Sequence, residues 1–174
     1  MVSFRRVFAM PDKDTFSIKP ISELLDRVLA GAAVIVDPFA RNSLQGTLTN
    51  DIDTTSMAQS HMEAVVWLDS LLARGVIADV ALFDPPYSPR QMSEAYKMAG
   101  MSSSQTQTHN ARLYAKCKTR LANLLKIGGV AVCFGWNSMG IGLKHDFEMT
   151  EVLLVCHGAA HNDTIVTVEV KRSS

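Results

Sequence analysis

The chain has 174 residues, 47% of them hydrophobic, which is enough for one domain with a sizeable core. No apolar run approaches the roughly 18–20 residues of a membrane span, and the first residues lack the apolar core of a secretory signal, which predicts a cytoplasmic protein. Three cysteines far apart in sequence, Cys117, Cys133 and Cys156, argue against a disulfide framework and a zinc knuckle.

The net charge is zero, with 17 basic and 17 acidic residues, but the charges are unevenly distributed. No Asp or Glu occurs between Ala95 and Lys144, where basic residues are frequent. Solvation of a helix surface is the favoured explanation for any one of these basic residues. For the segment as a whole, a localised positive charge in a neutral protein favours a polyanionic partner such as nucleic acid.

Hydrophobic periodicity predicts helices over 21–29, 61–73 and 111–125, with Ser22 capping the first helix and Gly31 ending it. Short apolar runs predict strands over 33–36, 46–49, 80–83, 130–134, 151–156 and 164–170, with a Gly128-Gly129 turn before the fourth of these. Strands that alternate with helices form a mostly parallel sheet covered on both faces. The last two strands are close in sequence, which predicts an antiparallel hairpin.

Three acidic residues follow predicted strands: Asp37 after the first, Asp51 after the second and Asp84 after the third. In sheets of this kind, ligands bind beyond the carboxyl ends of the strands. We therefore expect a ligand site at this edge of the sheet.

The segment Asp84-Pro85-Pro86-Tyr87 has residue types that can bind and activate an exocyclic amine. The Asp84 carboxylate and the Pro85 carbonyl can each accept an amine N–H, which frees the nitrogen lone pair for attack. Two prolines make a stiff turn, and Tyr87 offers an aromatic face for an extracted base. The alternative is a simple turn in which Asp84 caps a helix.

This tetrad, after an apolar strand and downstream of an Asp37-Pro38-Phe39 turn, resembles the signature of the DNA amino-methyltransferases that act on adenine N6 and cytosine N4. The resemblance implies a Rossmann-like methyltransferase fold with a seven-stranded sheet, a single catalytic domain over residues 1–174, S-adenosylmethionine (SAM) as cofactor, and adenine N6 in DNA as target.

The resemblance also implies where the cofactor binds. Asp51 would contact the ribose hydroxyls, with Asp53 as the alternative acid. Glu63 would lie near the adenine amine of the cofactor, or would merely be an exposed glutamate at a helix start. The implied cofactor-binding residues are Phe16, Ile18, Lys19, Asp37, Pro38, Phe39, Ala40, Arg41, Asn42, Ser43, Asp51, Ile52, Glu63, Ala64 and Asp84.

Candidate substrate contacts border the expected base pocket. Trp136 would stack on nucleic acid or simply pack against the protein. His157, His161 and Asp163 suggest a metal site, but a polar segment bordering the substrate is favoured, and no metal ligand set is predicted. The predicted substrate-binding residues are Tyr87, Arg90, Lys116, Lys118, Arg120, Trp136 and Asn137.

The sequence departs from the family pattern at two points. The family's first loop reads D-P-F-x-G-S-G-T, but here Arg41 and Ser43 replace both glycines, which puts cofactor affinity in question. No segment is left for a target-recognition domain, so the chain resembles small phage-encoded forms, with a homodimer or a partner subunit as sources of target recognition. Cytosine N4, RNA and a non-catalytic binding subunit are the alternatives.

Overall fold

The computed structural model describes residues 1–86, 107–158 and 161–173. Two short 3-10 turns, Thr15–Ser17 and Leu143–His145, accompany the helices and strands of these ranges. In chain order these are β1 (Ser3–Phe8), α1 (Lys19–Leu29), β2 (Ile35–Asp37), β3 (Leu48–Thr49), α2 (Ala64–Ala73), β4 (Ala78–Phe83), α3 (Gln107–Leu124), β5 (Leu125–Gly135), β6 (Phe147–Cys156) and β7 (Thr164–Lys171).

The seven strands form one sheet in the order β1-β6-β7-β5-β4-β2-β3. β7 is antiparallel to both β5 and β6, and the other neighbouring strands are parallel. The predicted mostly parallel sheet with an antiparallel hairpin is therefore confirmed. β1 was not predicted, and it adds a parallel edge strand beside β6.

Helices cover both faces of the sheet, so each face has its own apolar core. On one face, Ile21, Leu24 and Leu25 of α1 pack against the central strands β4, β5 and β7. On the other face, α2 and α3 pack together over β4 and β5, and Leu68 and Leu121 are fully buried there. The amphipathic patterns seen in the sequence correspond to these buried helix faces.

Two local predictions are wrong. α1 begins at Lys19 with Pro20 in its first turn, so Ser22 lies inside the helix and does not cap it. Proline is favoured at this position because its missing N–H is not needed in the first turn. The Gly128-Gly129 pair lies within β5, where the pairing with β4 shifts register, so it forms a bulge instead of a turn.

Among the described residues, no helix is both long and apolar enough to span a membrane.

Candidate active site

The carboxyl ends of β2, β3 and β4 meet at one edge of the sheet, as predicted. Asp37 is the last residue of β2, Asp51 follows β3, and Asp84 follows β4. A cavity of about 590 Å³ opens at this edge, and a second cavity of about 330 Å³ lies beside it. Thr15, Phe39, Arg41 and Asp84 line both cavities, so Asp84 stands where they meet.

The turn at Asp84 is supported by α3. The Tyr114 hydroxyl donates a hydrogen bond to the Pro86 carbonyl. The Tyr114 ring also meets Phe83, the residue before Asp84, edge to face at 6.2 Å between ring centroids. The Lys118 ammonium lies 5.9 Å from the centre of the Phe83 ring. These contacts fix the backbone on both sides of Asp84 and Pro85; Tyr87 lies outside the described residues.

Asp37 is fully buried behind the cavity wall. One carboxyl oxygen accepts the Phe39 backbone N–H at 3.1 Å, and the other is buried with no hydrogen-bond partner among the described residues. Burial is the main cause that raises the pKa of Asp37 to about 8, and the nearby carboxylates of Asp84 and Asp51 add to the rise. Asp37 is therefore a poorly satisfied acid beneath the loop that it begins.

Arg41 occupies the position of the first missing glycine, and its backbone takes the left-handed conformation that glycine favours, with φ of 49°. Its backbone N–H donates to the Asp51 carboxylate at 2.9 Å, and its guanidinium donates to the Lys13 carbonyl at 2.9 Å. The loop therefore adopts the turn that a glycine at this position would allow. The long Arg41 side chain connects the loop to the N-terminal segment at the edge of the cavity.

Asp51 and Asp53 both line the larger cavity, so either can serve as the acid for a ribose. The second Asp51 oxygen accepts the Asp53 N–H at 2.9 Å, and burial raises the Asp51 pKa. Asp53 accepts hydrogen bonds from the hydroxyl and backbone of Thr55, which lower its pKa. Neither residue is excluded by these contacts.

Glu63 lies at the start of α2, as predicted, and its predicted contact with the cofactor stays a prediction. It is the N-cap of α2: one carboxyl oxygen accepts the backbone N–H groups of Val65 and Val66, at 3.0 and 3.1 Å. Its other oxygen is buried with no hydrogen-bond partner among the described residues, and Glu63 lines the larger cavity. Buried acceptors are rarely left unsatisfied, so this oxygen suits a ligand N–H or O–H.

The far wall of the larger cavity includes Trp136 and the segment after β6. His157 is held between the Ala9 carbonyl at 2.9 Å and the Thr164 hydroxyl at 3.0 Å, and His161 and Asn162 also line the cavity. In the part of the chain that the structure describes, no group of three His, Cys, Asp or Glu side chains is arranged to hold a metal ion. The segment after β6 thus borders the cavity as a polar wall.

Most predicted cofactor residues that the structure describes line one cavity or the other; Lys19 and Asp37 do not. Among the predicted substrate residues, Trp136 lines the larger cavity, whereas Asn137, Lys116, Lys118 and Arg120 line neither. Tyr87 and Arg90 lie outside the described residues. The Arg120 guanidinium is bound by both Asp69 oxygens, at 2.8 and 3.0 Å, so part of the basic segment is neutralised within the protein.

Several site residues were missed from the sequence. Asn50 holds two loops together: its amide donates to the carbonyls of Pro38 and Met62 and accepts the Met62 N–H. Its position beside Asp51 after a strand was the available signal. Pro11, Asp12 and Lys13 line the larger cavity, but no pattern in that segment indicated this.

The chain has the fold of SAM-dependent methyltransferases. Its structure is similar to that of NSun6 from Pyrococcus horikoshii with SFG (TM-score 0.57, 14% identity, 88% of this chain and 52% of the other). It is also similar to TrmN from Thermus thermophilus (TM-score 0.51, 14% identity, 88% of this chain and 49% of the other). A third similar structure is that of SMU.776, described as a methyltransferase and complexed with SAH (TM-score 0.55, 10% identity, 85% of this chain and 48% of the other). The chain spans about half the length of these proteins. Its sequence matches no protein-family model and no curated protein.

Proposed function

We propose that this protein is a SAM-dependent methyltransferase that methylates the N6 amine of adenine in DNA. The observation that carries the proposal is the position of Asp84-Pro85-Pro86. The three residues follow a buried strand and line the larger cavity, and Asp84 lines the smaller one as well. A carboxylate at this junction can contact both a cofactor and a target amine.

The residues around the larger cavity suit the adenosine part of SAM. Asp51 and Asp53 can accept the ribose hydroxyls, and the unpartnered Glu63 oxygen can accept the adenine amine. The smaller cavity lies between the N-terminal residues 14–17 and the loop 39–45, and we assign the amino-acid end of SAM to it. When bound, SAM would supply a sulfonium methyl group whose carbon an amine nitrogen can attack, with the methyl–sulfur bond breaking and S-adenosylhomocysteine leaving.

Asp84 is the residue that activates the target in this proposal. An exocyclic amine is a weak nucleophile because its lone pair is delocalised into the base. A carboxylate that accepts one N–H localises the lone pair on nitrogen, and it can take up the proton that the nitrogen loses after methylation. Tyr114 acts only by holding the Pro86 carbonyl, which keeps the turn in place.

Trp136 is our candidate for a stacking contact with the target base. It lines the same cavity as Pro85 and Pro86, and its side chain is half exposed. The choice of adenine in DNA rests on the resemblance of the Asp84 tetrad to the amino-methyltransferase signature. Cytosine N4 and RNA use the same amine chemistry, and the experiment below separates them.

The non-catalytic alternative rested on Arg41 and Ser43. The Arg41 backbone has the conformation of the missing glycine, and its guanidinium is held by Lys13. The loop can therefore keep its shape without glycine, which favours the enzyme over a binding subunit.

The proposal is tested by incubating the protein with methyl-labelled SAM and a mixture of unmethylated DNA and RNA, followed by nucleoside mass spectrometry. We expect labelled N6-methyldeoxyadenosine, and at least a roughly 1,000-fold lower rate for Asp84→Ala. Asp26→Ala is the matched control, because Asp26 is an exposed carboxylate of α1 outside both cavities.

The methylated nucleoside decides between the substrates. Label on cytosine or in RNA would keep the role of Asp84 and replace the target. A folded protein that leaves every nucleoside unlabelled, or an Asp84→Ala variant as active as the wild type, would contradict the proposal.

A further inference from the structure

The edge strand β1 carries an exposed surface that the site described above does not use. We call Phe4, Arg5, Arg6, Phe8 and Met10 the edge-strand surface. Their apolar members are unusually exposed: 67% for Phe4, 74% for Phe8 and 81% for Met10. Large apolar side chains that cluster on a surface mark a binding site more often than isolated ones do.

The two aromatic rings lie on the same face of β1. Phe4, Arg6 and Phe8 alternate along the strand and pair with Val152, Leu154 and Cys156 of β6. The Arg6 guanidinium lies 5.0 Å from the centre of the Phe8 ring and donates to the Cys156 sulfur at 3.3 Å. This face of β1 therefore carries the rings of Phe4 and Phe8, with the positively charged Arg6 between these two residues along the strand.

The edge-strand surface is also basic. Residues 1–11 contain Arg5 and Arg6, both exposed, and no acidic residue. On the neighbouring strand β6, Glu151 is bound by Arg27 at 2.6 Å, which offsets its charge. The Cys156 sulfur and, to a smaller extent, the Asp163 carboxylate raise the pKa of Arg6. Asp12 is the first acidic residue after residues 1–11.

The surface is continuous with the larger cavity. The Ala9 N–H donates to the Cys156 carbonyl at 3.1 Å, and the Ala9 carbonyl contacts His157 at 2.9 Å, so the chain is anchored beyond β1. Pro11, Asp12 and Lys13 then line the cavity. Only two residues lie between Phe8 and Pro11, so their Cα atoms are within about 11 Å of each other.

We propose that the edge-strand surface binds single-stranded nucleic acid next to the base that enters the cavity, an inference that rests on the proposed function. Exposed aromatic rings stack on bases of any sequence, and arginines contact the phosphates between them. A second copy of this chain fits less well. Symmetric antiparallel pairing of two β1 strands, centred on Arg5 or on Arg6, would place that arginine opposite its counterpart in the other copy, and like charges in that position are destabilising.

The test is fluorescence anisotropy with a labelled, mixed-sequence single-stranded DNA of about 20 nucleotides, without cofactor. We expect Phe4→Ala and Phe8→Ala each to weaken binding by about 5- to 100-fold. Arg5→Gln is expected to reduce the slope of log K against log salt by about 0.7. Ile77→Ala is the matched control, since Ile77 is 66% exposed and lies before β4, at the opposite end of that strand from Asp84. Its affinity should not change.

Unchanged affinity in both phenylalanine variants would overturn the inference, as would a wild type with no measurable affinity for the DNA. The inference would also be overturned if light scattering showed that these substitutions convert a dimer to a monomer without loss of DNA binding. Failure of the proposed function looks different: DNA binding that depends on Phe4 and Phe8, with no methylation.

Discussion

Two aspartates at opposite ends of the parallel strands show how differently the two regions are built. Asp79, at the amino end of β4, accepts the backbone N–H groups of Ala33 and Val34 at 2.8 Å and is bound by Lys126 at 2.5 Å. These donors lower its pKa to about 2. Asp37, at the carboxyl end of β2, accepts one hydrogen bond, from the Phe39 N–H, and its other oxygen has no partner in the described part of the chain; burial raises its pKa to about 8.

The contrast in hydrogen bonding and pKa distinguishes Asp79, which has a structural role, from the acids of the proposed ligand-binding region. Asp79 joins β2, β4 and β5 and has its donors already. At the other end, Asp37 and Glu63 each keep a buried oxygen that no described residue donates to, and burial raises the pKa of Asp51. Perturbed, under-satisfied carboxyl groups cluster at functional sites because the remaining donors belong to the ligand.

The largest effect predicted from the contrast between Asp37 and Asp79 is on the pH dependence of stability. A carboxyl whose pKa is about 8 when folded and near 4 when unfolded keeps its proton in the folded state only. Stability should therefore fall as the pH rises from about 4 to 8, by up to about tenfold per pH unit in the folding equilibrium constant. In Asp37→Asn this fall should disappear. Urea unfolding of both proteins at pH 5 and pH 8 measures this pH dependence. The same change in stability between the two pH values in wild type and Asp37→Asn would refute the prediction.

Asp79→Asn should show the opposite sign. A folded pKa of about 2 means that the stabilisation by Asp79 is present above about pH 4 and is lost as the pH falls toward 2. The wild type should therefore be more stable than Asp79→Asn at pH 7, and the two should converge under acid conditions. A constant difference down to pH 2 would count against the role of its backbone and Lys126 donors.

A smaller effect concerns the backbone of Arg41. Both Arg41→Gly and Arg41→Ala remove the contact with Lys13, but alanine keeps a side chain in the left-handed conformation. We expect the glycine variant to have the higher free energy of unfolding, by about 1 kcal/mol. Chemical denaturation of the pair measures this, and equal stabilities would mean that the loop relaxes to another conformation.

The smallest effect is expected for Tyr114→Phe. It removes the hydroxyl that donates to the Pro86 carbonyl but keeps the ring that meets Phe83. The free energy of unfolding should fall by about 1 kcal/mol. Methylation should slow several-fold, since the turn that carries Asp84 loses one support. Tyr114→Leu is the comparison, and it should lose more because the ring contact goes as well.

The sequence was sufficient for those parts of the fold that depend on local pattern. The strands that lead to Asp37, Asp51 and Asp84 and the final hairpin were predicted because apolar runs followed by polar residues are visible in one segment at a time. β1 was missed because it is exposed on both faces and so shows no apolar alternation.

Features that depend on distant partners could not be predicted. The Arg120–Asp69 ion pair joins residues 51 positions apart, and the support that Tyr114 gives to Pro86 spans 28 positions. The conformation of Arg41 was also hidden, because arginine gives no local signal for a positive φ. In each case the contact partner is set by the packing of α2, α3 and the N-terminal segment.

We propose that the under-satisfied carboxyl groups form the cofactor site, and calorimetric titration with SAM measures their contribution to binding. We predict saturable binding by the wild type, binding about 10-fold weaker or worse in Glu63→Gln, and unchanged binding in Asp79→Asn. Glutamine keeps an acceptor for the N-cap of α2 but replaces the unpartnered oxygen with an amide donor. Absence of binding by the folded wild type, or equal affinities for wild type and Glu63→Gln, would contradict the account.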